Sequence, residues 1–147
     1  MRQTECAGAH LVVNPRWRTG MGSSVRAGVR AALSRDQETE GIALMLCDQP
    51  LITAEDLTAM ARKCEQLDAY AVAASYAGTL GTPAVFAPEA IRDLLALGDT
   101  QGGKSLLLAH SDMVATYPLA SAAIDIDVEA DYQHLIESES GQREPSA

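Results

Sequence analysis

Asp48, Asp125 and Asp127 are the carboxylates whose placement suits chemistry, because each sits at the end of an apolar run: Asp48 after Ile42 to Cys47, the others closing Ala122 to Ile126. In open α/β sheets the ligand crevice lies outside the carboxyl ends of the strands, so an acid there is a candidate metal or phosphate residue. Plainer readings compete. Asp48, close before Pro50, can open a turn by bonding the backbone two residues on, and Asp127 is ideally placed to cap a following helix. Asp125 stands in reserve for the same role as Asp127.

Glycine-bearing turns supply the second kind of chemistry. Gly20-Met21-Gly22-Ser23-Ser24 feeds a helix, for which Ser23 or Ser24 is a good N-cap. The free amides of a helix start attract anions, and glycines let a ligand approach the backbone closely. The stretch from Gly98 to Ser105 spells the phosphate-binding pattern G-x-x-x-x-G-K-S, with Lys104 as its lysine. That pattern must follow a strand, whereas Glu89 to Leu97 has helical spacing at Ile91, Leu94 and Leu95 behind Pro88. An ATPase loop is therefore rejected. A glycine-rich loop opening a helix over Ser105 to His110, with Asp99 and Lys104 beside it, remains. His10, His110 and His134 share no metal-ligand spacing.

The elements that must position these groups follow from periodicity. Ile42 to Cys47 has the composition of a strand buried on both faces, and Pro50 stops it because proline has no ladder donor. His10 to Val13 is a short strand ending at Asn14-Pro15. Val25, Val29, Ala32 and Leu33 share a helix face. Thr53 with Asp56 predicts a capping box for a helix carrying Leu57, Met60, Ala61, Cys64 and Leu67 inward. Ala69 to Ser75 reads as another buried strand, Gly78 to Pro83 as a flexible turn, and Ala84 to Phe86 as a short strand. Met113 to Tyr117 and Ala122 to Ile126 read as strands, before a helix carrying Val128, Tyr132, Leu135 and Ile136.

Composition limits the class. A chain of 147 residues makes one domain that needs no disulfide staple. A single domain is predicted over 1–137, with a frayed polar tail over 138–147. Cys6, Cys47 and Cys64 have no metal or redox spacing and read as reduced thiols of a cytoplasmic protein, Cys47 and Cys64 as apolar fillers. The net charge of −9 without a basic block disfavours nucleic acid. No run approaches a membrane span. An acidic protein that handles nucleotides needs a cation between them.

The order of these signals is specific. Asn14-Pro15-x-Trp17-x-x-Gly20-Met21 with Ser23-Ser24-Val25-Arg26-Ala27-Gly28, then Asp48-Gln49-Pro50, Gly81-x-Pro83, Gly98-Asp99 and Asp125-Ile126-Asp127 resembles the MobA-like nucleotidyltransferases, most closely their molybdenum cofactor cytidylyltransferase branch. The resemblance runs from about His10 to Ile136. It implies an α/β fold, a three-layer sandwich of the nucleotide-diphospho-sugar transferase type with a mostly parallel sheet. The family's first strand and its glycine-rich loop have no counterpart before His10, and the Gly98 loop carries one extra residue and Lys104 where the family has arginine. Lysine keeps the charge and loses the bidentate fork.

Function follows as an expectation from the resemblance. CMP or GMP would pass from CTP or GTP to a molybdopterin-like phosphate acceptor, in molybdenum cofactor maturation. Mg²⁺ would be held by Asp48 with Asp125 or Asp127, Asp48 and Asp127 being the catalytic acids. The helix start at Ser23 and Ser24 would lie against the nucleotide, and Gly98, Asp99 and Lys104 against the acceptor side, with Gly22, Gly81 and Pro83 also among the residues that bind the ligands. A homo-oligomer or a molybdoenzyme is the expected protein partner, and an unpaired edge on Ile42 to Cys47 would favour self-association. The alternative is a catalytically silent binding or assembly module. Without the glycine loop, the chain as given is expected to bind Mg²⁺-nucleotide poorly.

Overall fold

A computed structural model describes residues 9–126 and Gln133. Its centre is β2 (Ala71–Tyr76), whose first four residues are buried. Alanines at 71, 73 and 74 let helices approach both faces of the sheet closely. β2 turns through Ala77 and Gly78 into β3 (Thr79–Phe86). Both turn residues have positive φ, 47° and 74°, the backbone of a tight hairpin whose twist matches the flanking strands. Gly78 adopts it without steric cost.

β1 (Ile42–Leu44) pairs antiparallel with the far side of β3, and β4 (Val114–Pro118) pairs parallel with β2. The four-stranded order is β1-β3-β2-β4. Because β3 alone runs the other way, β1, β2 and β4 share a direction and leave the sheet at one edge. The ladder between β2 and β3 is interrupted there: Ala73 faces Ala84 but Ala74 faces Gly81, so Thr82 and Pro83 bulge out of register. The Thr82–Pro83 bond is cis.

Alternation along the strands builds a core on each face. Ala71, Ala73, Ala84 and Phe86 point to one side, where they meet Val29 of α1 (Met21–Arg35), Leu94 of α3 (Ile91–Ala96) and Leu107 of α4 (Gly103–Ala109). Val72, Ala74 and Val85 point to the other, against Met60 and Cys64 of α2 (Ala54–Leu67). The result is helix, sheet, helix in three layers, an α/β sandwich. Thr53 and Asp56 form the expected capping box at the start of α2. At the sheet's other edge the Tyr70 hydroxyl donates to Asp93 at 3.0 Å and its ring stacks on His110. Burial, then the Asp93 bond, pushes the Tyr70 phenol well above its ordinary range.

Several expectations are corrected. The strand at 42–47 stops at Leu44, lies at the sheet edge and exposes Met45, Leu46 and Cys47. β3 bulges away beyond Ala84, leaving no ladder for Met45 to Cys47 to join, so β2 is the central strand. The sheet is mixed, with parallel pairing only between β2 and β4 among the described residues. Cys47 is therefore no core filler, whereas Cys64 is buried and its thiol is pushed up, chiefly by burial. His10 to Val13 is exposed and unpaired in any ladder. Gly78 to Pro83 is mostly strand, because hairpin pairing overrides its turn-like composition. Ala120–Ala123 is a 3-10 turn rather than part of a strand. The helix expected after Asp127 and the tail lie outside the described residues, Gln133 excepted. The helical reading of Glu89 to Leu97 holds, as a 3-10 turn over Pro88–Ala90 and α3.

Phe86 is fully buried between β1 and the α1 layer. Phe86→Ala should lower the unfolding free energy by about 3–5 kcal/mol, and Thr53→Ala by about 1 kcal/mol through loss of the cap. Urea unfolding followed by circular dichroism reads both.

Candidate functional site

The edge where β1, β2 and β4 end is assembled by residues following β1. Asp48 and Gln49 sit in the turn beyond Leu44. The Asp48 carbonyl accepts the Ile126 amide at 2.8 Å, which draws the segment after β4 onto the turn after β1. Asp48 Oδ1 is buried and has no hydrogen-bond partner. A buried carboxylate oxygen is costly unless a donor or cation meets it, and a divalent cation of the hard, oxygen-seeking kind fits that demand. Asp125 adjoins Ile126 and is exposed. Asp127 lies outside the described residues. Among the described residues no cluster of three or more His, Cys, Asp or Glu is poised for a metal.

The glycine turns meet each other. α1 is capped by Gly20, not by a serine, because Ser23 and Ser24 already lie in the first turn. Ser23 is buried; its hydroxyl donates to the Arg16 and Gly20 carbonyls at 3.0 and 2.8 Å, while Asn14 Nδ2 donates to the Ser23 and Ser24 hydroxyls at 2.9 and 3.0 Å. The Gly22 amide donates to the Asp99 carbonyl at 3.0 Å. A Cβ on Gly20 would stand 2.3 Å from Asp99 O, and one on Gly22 would stand 2.0 Å from Gly98 O. Both glycines therefore admit the chain's own Gly98 loop against the helix start. Arg26 completes the junction by donating to the Leu97 carbonyl and the Asp99 carboxylate, and Arg16 reaches the other Asp99 oxygen at 3.1 Å. The hydrogen bond from Arg26 is the main cause that holds the Asp99 carboxyl below its usual range.

Between these parts lies an apolar crevice of about 770 Å³ on the α1 face, walled by Val25, Val29, Leu44, Leu80, Phe86 and Leu107. Ser24, Gly81, Thr82 and Lys104 stand in its lining. Lys104 Nζ donates to Thr79 Oγ1 at 3.1 Å, at the start of β3. Asp48 is not part of this lining; its neighbour Gln49 bonds the carbonyl of Thr82, which is. Pro83 is fully buried.

The structure thus gathers Asp48 and the segment bearing Asp125 at one edge, and Gly22, Ser23, Gly98 and Asp99 at a junction beside it. Ser24, Gly81 and Lys104 border the crevice. Sequence reasoning missed Arg26 and Gln49 as contributors. Both stand within the motifs that carry the resemblance, Arg26 in Ser23 to Gly28 and Gln49 in Asp48-Gln49-Pro50, without a role of their own.

The pattern of the MobA-like NTP transferase domain matches residues 1–114. No curated protein matches the chain. Among solved structures, the homologue of Mycobacterium tuberculosis Rv0371c from Mycobacterium sp. strain JC1 shares 26% identity at a TM-score of 0.61, over 84% of this chain and 60% of that one. Rv0371c of Mycobacterium tuberculosis H37Rv, solved in complex with manganese, shares 26% identity at a TM-score of 0.51, over 75% and 60%. Molybdopterin-guanine dinucleotide biosynthesis protein A from Archaeoglobus fulgidus is 16% identical at a TM-score of 0.58, over 83% and 64%, a likeness of fold. The chain spans about 60% of the length of the first of these structures.

Arg26→Met should loosen the Gly98 loop and speed hydrogen exchange of the Gly22 amide. Because the folded Asp99 carboxyl is depressed, its contribution is present above the ordinary value of 3.8 and is lost as pH falls through the lower folded value. A carbon-13 titration should show the Asp99 midpoint below 3.8 in the native chain and returning toward 3.8 in Arg26→Met.

Proposed function

This chain belongs to the MobA-like NTP transferase family, and from that premise we propose that its strand-exit edge is a divalent-metal and nucleotide site serving nucleotidyl transfer. The observation that carries the reading is the buried, unpartnered Asp48 Oδ1 beside the Asp125 segment. Asp48, with Asp125 or Asp127, would hold Mg²⁺ or Mn²⁺; the manganese complex of Rv0371c supports a divalent ion of this type. When bound, such an ion supplies compensation for the negative charge of the triphosphate and the developing pyrophosphate. In the reaction a phosphate oxygen of the acceptor attacks the α-phosphorus of CTP or GTP and pyrophosphate leaves. The residues of the chain bind and orient: the apolar crevice takes a flat ring and excludes water, and Lys104 and Ser24 at its border meet polar substituents. The likeness of fold to the Archaeoglobus fulgidus protein makes a molybdopterin-type acceptor the first to try.

A second reading, a binding or assembly module without turnover, draws support from Gly22. Its amide is spent on the Asp99 carbonyl, so this helix start does not offer that donor to a phosphate. Pyrophosphate release separates the two readings.

Titration of Mn²⁺ and Mg²⁺ into the chain, with and without CTP or GTP, tests the proposal. Asp48→Asn should weaken Mn²⁺ by more than the about 10–100-fold that loss of an outer partner costs. Equal affinity in the native chain and Asp48→Asn would remove Asp48 from the site. Pyrophosphate release with CTP and acceptor, absent in Asp48→Asn, is the outcome expected of an enzyme; binding without release is the outcome expected of the module.

A further inference from the structure

Gln49 is 5% exposed, among the few polar side chains buried in the described part of the chain. Its Nε2 donates to the Ala122 carbonyl at 2.7 Å and to the Thr82 carbonyl at 3.1 Å. Carbonyls only accept, so the amide end that faces them must be the NH₂, and both of its protons are committed. Oε1 is then left pointing away, buried and without a partner.

The two carbonyls belong to parts of the chain far apart in sequence. Thr82 is in the bulge of β3, out of register with β2, and Ala122 is in the 3-10 turn after β4. One side chain thus joins the turn after β1 to both. Immediately before it, the Asp48 main chain is held from the same side by the Ile126 amide. A carboxylate presented from a turn is only as well placed as its backbone, and that backbone is fixed by these bonds.

We infer that Gln49 is a positioning residue: its amide clamps the turn after β1 to β3 and to the segment after β4, and so sets the place of the Asp48 carboxylate toward a divalent cation. The inference rests on the metal reading given above. Glutamate at this position is acceptor-only when ionised and would oppose two carbonyls, while methionine keeps the length and loses both bonds. Either change frees the turn without touching Asp48 itself.

The test uses the full chain with Mn²⁺ as probe. Gln49→Met and Gln49→Glu are each expected to weaken Mn²⁺ binding by about 10–100-fold, the range for partners that orient a metal ligand. Without metal, both should speed hydrogen exchange at the Ile126 amide, because the clamp and that bond share one turn. Thr53→Ala, which loosens α2 by its cap alone, should leave Mn²⁺ affinity unchanged and so separates positioning from general loss of stability. Should Gln49→Glu fail to fold, Gln49→Met carries the test. Mn²⁺ affinity undiminished in the folded Gln49 variants, or unchanged protection of Ile126, would overturn the role given to Gln49. Absence of Mn²⁺ binding by the native chain would instead overturn the metal reading, and the cation-directed role of Gln49 with it.

Discussion

Backbone carbonyls that leave a sheet ladder in the interior must find donors, since each one left buried and unmet costs about 1–3 kcal/mol. In this protein that demand falls on a single edge, because β1, β2 and β4 run the same way and β3 runs against them. The carbonyls of Thr82 and Ala122 are met by one glutamine, and that of Asp48 by the Ile126 amide. Among the described residues, the buried side-chain atoms left unmet are Asp48 Oδ1 and Gln49 Oε1. A carboxylate oxygen left orphaned beside three carbonyls that are met points to a group from outside the chain.

Charge argues in the same direction. The chain carries −9, and Arg16 and Arg26 are engaged with Asp99. Those arginines work as fasteners: they hold the Gly98 loop onto the start of α1, where two glycines let backbone meet backbone. Positive charge for a triphosphate would have to come largely from an added cation, and the acids at the strand exits are where it would be held. On the proposed function, the loop junction and the strand-exit edge would divide the labour, one fixing the wall of the crevice and the other holding the carboxylate for a cation.

Much of this was legible in the sequence because it is local. The capping box of Thr53 and Asp56, the helical spacing behind Pro88 and the acid after an apolar run each depend on a few neighbouring residues, and the structure has them. The misread parts depend on partners distant in sequence. Ile42 to Cys47 has the composition of a buried strand, yet its length is set by where β3 bulges, which is written at Thr82 and Pro83. Gly78 to Pro83 is rich in turn formers, yet pairing with β2 makes most of it strand. Ser23 has the chemistry of an N-cap, but Gly20 takes the position because only a residue without Cβ tolerates Asp99 so near. Gln49 could not be found by type or spacing, since its acceptors lie 33 and 73 residues away.

The most direct measurement of the central claim is anomalous scattering from a crystal of the chain soaked in Mn²⁺. The account predicts manganese at the strand-exit edge, within about 2.0–2.6 Å of Asp48 Oδ1, as oxygen ligands of hard cations lie. Manganese found only away from Asp48, for instance among Glu40, Glu65 and Glu89 in the crevice on the α2 face, would contradict it.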